Sequence, residues 1–199
     1  MSLLKLDNLS IKTPEGRLLS RGICFELNEN EILVIKGENG VGKTTLLRSI
    51  LKPSKENFAC IKTATNSLKI DYLPQVQSSS FHIPMTLWDT LRLSLSNIET
   101  EEALSYGLLE PRHLKLHWNT ASGGEQKRVL LTRMLLKDPD ILILDEPLNH
   151  LDSESRDAIC KALCQFVSRK NKAILMVSHD LKSLKQFAED KIRYLEIKR

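Results

Sequence analysis

The sequence predicts an α/β protein: a parallel core sheet carrying a phosphate-binding loop, with a helical insertion. Three observations carry this. The runs Ile32 to Ile35 (ILVI), Ile141 to Leu144 (ILIL) and Ala173 to Val177 (AILMV) are continuously apolar, as strands buried on both faces must be. Each run is followed by a helical pattern, and alternation of strands with helices argues for a parallel sheet. The interval from about 76 to 137 is instead mostly helical, and reads as an insertion between two core strands.

Residues 3–11 and 23–27 read as short strands, joined by a turn around Pro14-Glu15-Gly16. ILVI runs into GENGVGKTT and then into an apolar helix through Leu46, Leu47, Ile50 and Leu51, which ends near Pro53. Residues 58–73 form two further short strands. Residues 85–110 read as helical, opened by LWDTLRLSL, with Gly107 near the end and Pro111 following. A second helix starts at Ser122 and runs to about Lys137, with Pro139 just past it. Beyond ILIL, Ile159, Ala162, Leu163 and Phe166 fall on one helical face. AILMV leads into Ser178-His179-Asp180 and a short helix. The 199 residues suit one well-buried core, so residues 1–199 are expected to form a single domain.

Composition narrows the function. Apolar residues at 41% and charged residues at 27% are an ordinary globular balance. The formal charge of +4 is mild and no dense Lys/Arg block marks a nucleic-acid tail, so no nucleic-acid partner is expected. No apolar run approaches the ~20 residues that span a bilayer. The start, MSLLKLDNLS, lacks the basic-then-apolar pattern of a signal peptide. Cys24, Cys60, Cys160 and Cys164 include no CxxC pair and read as small, half-buried thiols in a reducing compartment.

The chemistry concentrates at the carboxyl ends of the apolar strands. Gly37-Glu38-Asn39-Gly40-Val41-Gly42-Lys43-Thr44 fits GxxxxGK[ST] at every fixed position, follows a buried strand and opens a helix. Glycines let such a backbone wrap a β-phosphate with its N–H groups. Lys43 brings a point charge to the β- and γ-phosphates, and the Thr44 hydroxyl suits Mg²⁺. Asp145 ends ILIL, where it is placed to hold Mg²⁺ directly or through water. Glu146 is the adjacent carboxylate, able to polarise an attacking water. His179 follows AILMV within reach of γ-phosphate oxygens. Gln75, in YLPQ, is an amide able to ligate Mg²⁺ or orient water. A second glycine-rich helix start, ASGGEQKR at 121–128, has the form of another phosphate-reading loop.

Taken in order, these segments resemble the ATP-binding cassette (ABC) ATPases over nearly the whole chain. GENGVGKT resembles the family's phosphate loop, Gln75 its Q-loop, SGGEQ its signature, ILILDEP its Walker B strand, NHLD at 149–152 its D-loop and His179 its switch histidine. The resemblance implies the ABC ATPase fold, in which an antiparallel β subdomain and an inserted helical subdomain flank the parallel core. It implies ATP and Mg²⁺ as cofactors. In the family two cassettes, identical or paired, pack head to tail around two ATP molecules. Gly37 to Thr44 and Thr45 would then bind the nucleotide in one cassette, while Ser122, Gly123 and Gly124 bind the γ-phosphate held by its partner. Glu146 would serve as general base, His179 would hold the γ-phosphate, and Gln75 would sense Mg²⁺ and the attacking water. Thr44, Gln75 and Asp145 would form the metal site, and Asp152 would cross the dimer interface. The family's transport subunits dock on integral membrane permeases, which implies a place on the cytoplasmic face of the inner or plasma membrane.

The chain departs from the family pattern in four places. Ile11, Lys12, Thr13 and Pro14 stand where an aromatic residue usually stacks on adenine. Asn30 replaces a turn glycine, Ala121 the usual signature leucine and Glu125 its usual glutamine. Among subgroups, the short link from Lys43 to LKIDYLPQ, the run FHIPMTLWDTLRLSL and ILMVSHDL resemble the ATPase subunits of zinc and manganese importers. Exporter ATPases of the haem or lipid type remain open. So do the ribosome-acting ABC-F proteins, which share SGGEQKR and DEPLNHLD but carry two cassettes and a long charged linker.

Overall fold

A computed structural model describes residues 1–13, 15–54, 57–65, 67–75, 84–179 and 182–198, leaving aside the Phe58 side chain. Ser2–Lys12 (β1) and Leu18–Asn28 (β2) pair antiparallel, and Ile61–Thr63 (β4) joins the other edge of β1. The resulting order is β2-β1-β4. Both long strands extend beyond the expected bounds. The turn between them is closed by hydrogen bonds from Gly16 N to Thr13 O (2.9 Å) and from Thr13 N to Arg17 O (2.8 Å).

The second sheet has the order β5-β6-β7-β3-β8 and every pairing in it is parallel. Its strands are Ile70–Leu73 (β5), Ile141–Asp145 (β6), Ala173–Val177 (β7), Glu31–Lys36 (β3) and Ile192–Glu196 (β8). All residues of β6 and β7 are buried, as their unbroken apolar runs require. Strand alternation then divides the core. Leu33, Ile35, Ile143 and Leu175 face the antiparallel sheet and Lys43–Leu51 (α1). Ile32, Val34, Leu142, Leu144, Ile174 and Met176 face Gly123–Leu136 (α5) and Ser153–Val167 (α6). The β2–β3 turn carries Asn30 at φ 59°, a left-handed conformation that asparagine tolerates.

The insertion departs from the single helix expected over 85–110. Leu87–Arg92 (α2) starts with a capping box between Thr86 and Asp89, then yields to a run of turns through Ser94, Ser96 and Asn97. These residues favour turns because their side chains compete for backbone hydrogen bonds. Thr100–Leu104 (α3) and Pro111–Leu114 (α4) follow. Pro111 thus opens a helix at its first position, where a missing N–H costs nothing. Trp118, 2% exposed, anchors the insertion in the same apolar cluster as the sheet face and α6. Lys182–Ala188 (α7) precedes β8. That last strand escaped the sequence reading because IRYLE has no buried run: it lies at the sheet edge with only partly covered side chains. Among the described residues no helix is long and apolar enough to cross a membrane.

Candidate nucleotide-binding site

The loop between β3 and α1 is shaped by glycines in left-handed conformations, Gly37 at φ 153° and Gly42 at φ 101°. A Cβ on Gly37 would lie 2.7 Å from the Ile197 carbonyl oxygen, so no other residue fits there. Lys43 Nζ donates to the carbonyl oxygens of Gly37 (2.8 Å) and Glu38 (3.0 Å), tying the loop to the first residue of α1. The Val41 side chain points away into the core, and the Ser20 hydroxyl donates to its carbonyl at 2.9 Å.

A cavity of about 270 Å³ opens over this loop. Asn39, Gly40, Gly42, Lys43, Thr44 and Thr45 line it from the loop and helix start, Gln75, Asp145 and Glu146 from the ends of β5 and β6, with Leu19 and Val177 beside them. Asp145 is 1% exposed, and its Oδ2 accepts the Thr44 hydroxyl at 2.7 Å. Asp145 Oδ1 and Glu146 Oε2 are buried without a hydrogen-bond partner. Buried carboxylate oxygens left unpaired are costly, and next to a threonine hydroxyl they form a hard oxygen donor set that fits Mg²⁺.

Glu146 sits at φ 51°, a left-handed backbone uncommon for its residue type, and its N–H donates to Val177 O at 2.9 Å. This turn aims the carboxylate towards the end of β7, where Glu146 Oε1 lies 3.2 Å from His179 Nε2. Burial pushes the Glu146 carboxyl above the usual carboxylate range. Asp145 adds to that rise, while His179 and Lys43 oppose it. A raised carboxyl beside an imidazole is the arrangement a general base near neutrality needs.

The remaining sequence-derived residues are held elsewhere. Ser122 caps α5: its hydroxyl donates to Glu125 Oε2 at 2.8 Å and accepts from Glu125 N at 3.2 Å. Gly123 and Gly124 form the first turn behind it. Asp152 caps α6 by accepting from Ser155 N (2.8 Å) and from the Ser155 hydroxyl (2.9 Å). Neither cap lines the cavity over the phosphate loop. Asp152 borders a separate cavity with Glu125, Arg128 and Ser155. The chain therefore carries two distinct polar centres, one built on β-strand ends and one on helix starts. Residues 76–83, which include Phe81, His82 and Ile83 at the start of the FHIPMT run, lie outside the described residues.

Lys127 was not legible as a site residue. It stands one turn into α5, and its Nζ donates to Asn149 O at 3.0 Å, joining the α5 start to the turn after Glu146. Burial lowers its pKa, and Glu146 opposes that shift. Beside the phosphate loop, Arg17, Leu18, Leu19, Ser20, Arg21 and Gly40 line a further open cavity, so an aliphatic and basic surface adjoins the place where an aromatic was missed.

Residues 20–149 match a protein-family model described as ABC transporter. The chain is similar to the zinc import ATP-binding protein ZnuC of Acinetobacter baylyi, at 36% identity over 189 residues covering 92% of this chain and 70% of that protein. A second ZnuC, from Buchnera aphidicola subsp. Baizongia pistaciae, is 37% identical over 179 residues, covering 89% and 74%. Among solved structures, a dimeric ATP-binding cassette in a post-hydrolysis state, bound to ADP and Pi, has a TM-score of 0.75 at 25% identity and covers 98% of this chain and 97% of its own. The fold is shared with cbiO1 of Clostridium perfringens, part of the ABC transporter complex cbiONQ: TM-score 0.75, 21% identity, covering 99% of this chain and 85% of that one.

Proposed function

The chain belongs to the ABC transporter family and is an ATP-binding ATPase of that family; from this premise we propose that it powers zinc import through separate membrane-spanning partners. The observation that carries the reading is the convergence of Lys43, Thr44, Gln75, Asp145 and Glu146 on one cavity, with His179 at its rim. Its substrate class rests on the relatives at 32% to 37% identity, which are zinc import ATP-binding proteins.

In this reading the N–H groups from Gly37 to Thr45 cradle the phosphates of ATP. Lys43 exchanges its two carbonyl partners for the β- and γ-phosphate oxygens. Thr44, Gln75 and Asp145 would hold Mg²⁺, which would offset the negative charge of the phosphates. Glu146 takes the proton from the attacking water, helped by its raised pKa. His179 supports the γ-phosphate while its ring stays near the base.

Ser122, Gly123, Gly124 and Asp152 act on the nucleotide of a second cassette. The physical support is their separation from the cavity: a phosphate reader built on a helix start needs a phosphate, and this chain's own loop is not beside it. The paired cassettes work on the cytoplasmic face of the membrane, held there by the permease.

Growth under zinc limitation tests the transport assignment. Removing the gene impairs growth in chelated medium, and added zinc restores it. Unimpaired growth, or a defect that zinc does not relieve, rejects zinc as the cargo. Phosphate release by the purified chain tests the ATPase assignment separately.

A further inference from the structure

Tyr72 stands on β5 opposite Ile143 of β6, and Asp145 lies two residues further along β6 on the same sheet face. The α1 helix packs over that face. Thr44 and Arg48 are one turn apart on α1, so their side chains project towards the same region. Thr44 already holds Asp145 Oδ2 at 2.7 Å. Two further polar atoms are buried without a hydrogen-bond partner: Asp145 Oδ1 and the Tyr72 hydroxyl. The phenol interacts with both the Asp145 carboxylate and the Arg48 guanidinium.

Two neighbouring orphan atoms, one a donor and one an acceptor, resolve each other's cost when they meet. A carboxylate has only acceptors, and a guanidinium has only donors. The phenol alone can join them, accepting from Arg48 and donating to Asp145. A phenol O–H both donates and accepts, so it can serve both neighbours at once.

We infer that Tyr72 is a positioning residue for the Mg²⁺ site, its hydroxyl holding Asp145 Oδ1 while Thr44 holds Oδ2, with Arg48 donating to the phenol oxygen. The inference rests on the proposed role of Asp145 in holding Mg²⁺. Two hydrogen bonds on opposite oxygens fix the plane of the carboxylate, which a single bond would leave free to turn. Partners of this kind orient a ligand without touching the cation, and their loss weakens metal binding by roughly ten- to a hundredfold.

The test is Tyr72→Phe, which removes one oxygen and keeps the ring. The affinity of the purified chain for a fluorescent, non-hydrolysable ATP analogue is titrated in Mg²⁺ and again in EDTA. The ratio of the two affinities is the readout, because a general loss of stability affects both arms alike. The wild-type chain binds more tightly in Mg²⁺, and Tyr72→Phe reduces that gain by about tenfold while its affinity in EDTA stays unchanged. A gain retained in full by Tyr72→Phe overturns the inference alone. Equal loss in both arms assigns Tyr72 a structural role and overturns it as well. A wild-type chain with no gain from Mg²⁺ overturns the reading of Asp145 and the inference with it.

Discussion

Glu146 Oε1 stands 3.2 Å from His179 Nε2, a carboxylate 5% exposed facing an imidazole 55% exposed. The pair joins a buried carboxylate to a residue that meets solvent at the cavity rim. Glu146→Gln keeps the shape of the side chain and removes its basicity. Turnover falls by about 10²–10⁴-fold while ATP affinity is retained, and ATP accumulates a paired form visible by light scattering. Phosphate release at the wild-type rate would take the general-base role away from Glu146.

Ser122 caps α5, and mutation can separate that role from its proposed contact with a partner's γ-phosphate. As the cap of α5 it accepts from Glu125 N at 3.2 Å, and Ser122→Ala costs about 1 kcal/mol in chemical denaturation. Ser122→Asp keeps a capping oxygen and adds a negative charge. Set against the Glu125 carboxylate it is less stable than wild type, yet it retains ATP binding as a monomer and fails to pair on adding ATP, because two anions would meet. Pairing by Ser122→Asp at wild-type concentrations would exclude contact between this serine and a partner's γ-phosphate.

Two glycine substitutions move in opposite directions. Gly37→Ala drives a Cβ to 2.7 Å from Ile197 O and 3.0 Å from Val41 Cγ1, at φ 153°. The carbonyl cannot retreat easily, since Ile197 N is bound to Lys36 O at 2.9 Å. The cost is about 1–3 kcal/mol, with loss of nucleotide binding. Gly123 has open space around its Cβ position and lies in the first turn of α5. Gly123→Ala raises stability by about 0.5–1 kcal/mol. Urea titrations of both variants decide the ordering, and equal stabilities would mean the Ile197 contact exerts no constraint.

His113 makes the insertion sensitive to acid. Its Nδ1 accepts from Glu110 N at 2.9 Å, which requires that nitrogen to be unprotonated. Burial lowers the imidazole pKa. Arg128 and Arg112 push the same way, and Glu110 and Glu125 oppose them. The unfolded chain therefore binds more protons than the native one below the ordinary histidine value. Stability is full above about pH 6.5 and declines as pH falls through that value towards the lower native pKa. In full acid titration of this group the loss is about 1 kcal/mol, the worth of the buried hydrogen bond. His113→Asn supplies an acceptor that does not titrate and flattens the melting-temperature profile over this window. A slope unchanged in His113→Asn would place its origin in another group.

The sequence made the buried parts of this fold readable and the half-exposed parts obscure. β6 and β7 announce themselves because a strand covered on both faces can carry only apolar residues. The α5 helix was bounded by Ser122 and Lys137, its cap residues, because capping is local chemistry. β8 was hidden, since an edge strand that carries Arg193, Tyr194 and Glu196 satisfies no periodic template. The insertion was read as helical but not as several short helices, because Trp118 and the shared core hold pieces too short to persist alone. At the site, strand ends pointed to Asp145, Glu146 and His179. The Tyr72–Arg48 approach and the Lys127 bond depend on how α1 and α5 settle on the sheet, and no local pattern records that.

The neighbours of β3 set the order in which the molecule can mature. Residues 31–36 are synthesised well before both their strand partners, 173–177 and 192–196. The oxygen that closes on Gly37 belongs to Ile197. A ribosome that has made the whole phosphate loop has therefore not made a nucleotide-binding protein. A nascent chain interrupted before residue 192 leaves β3 with an unpaired edge.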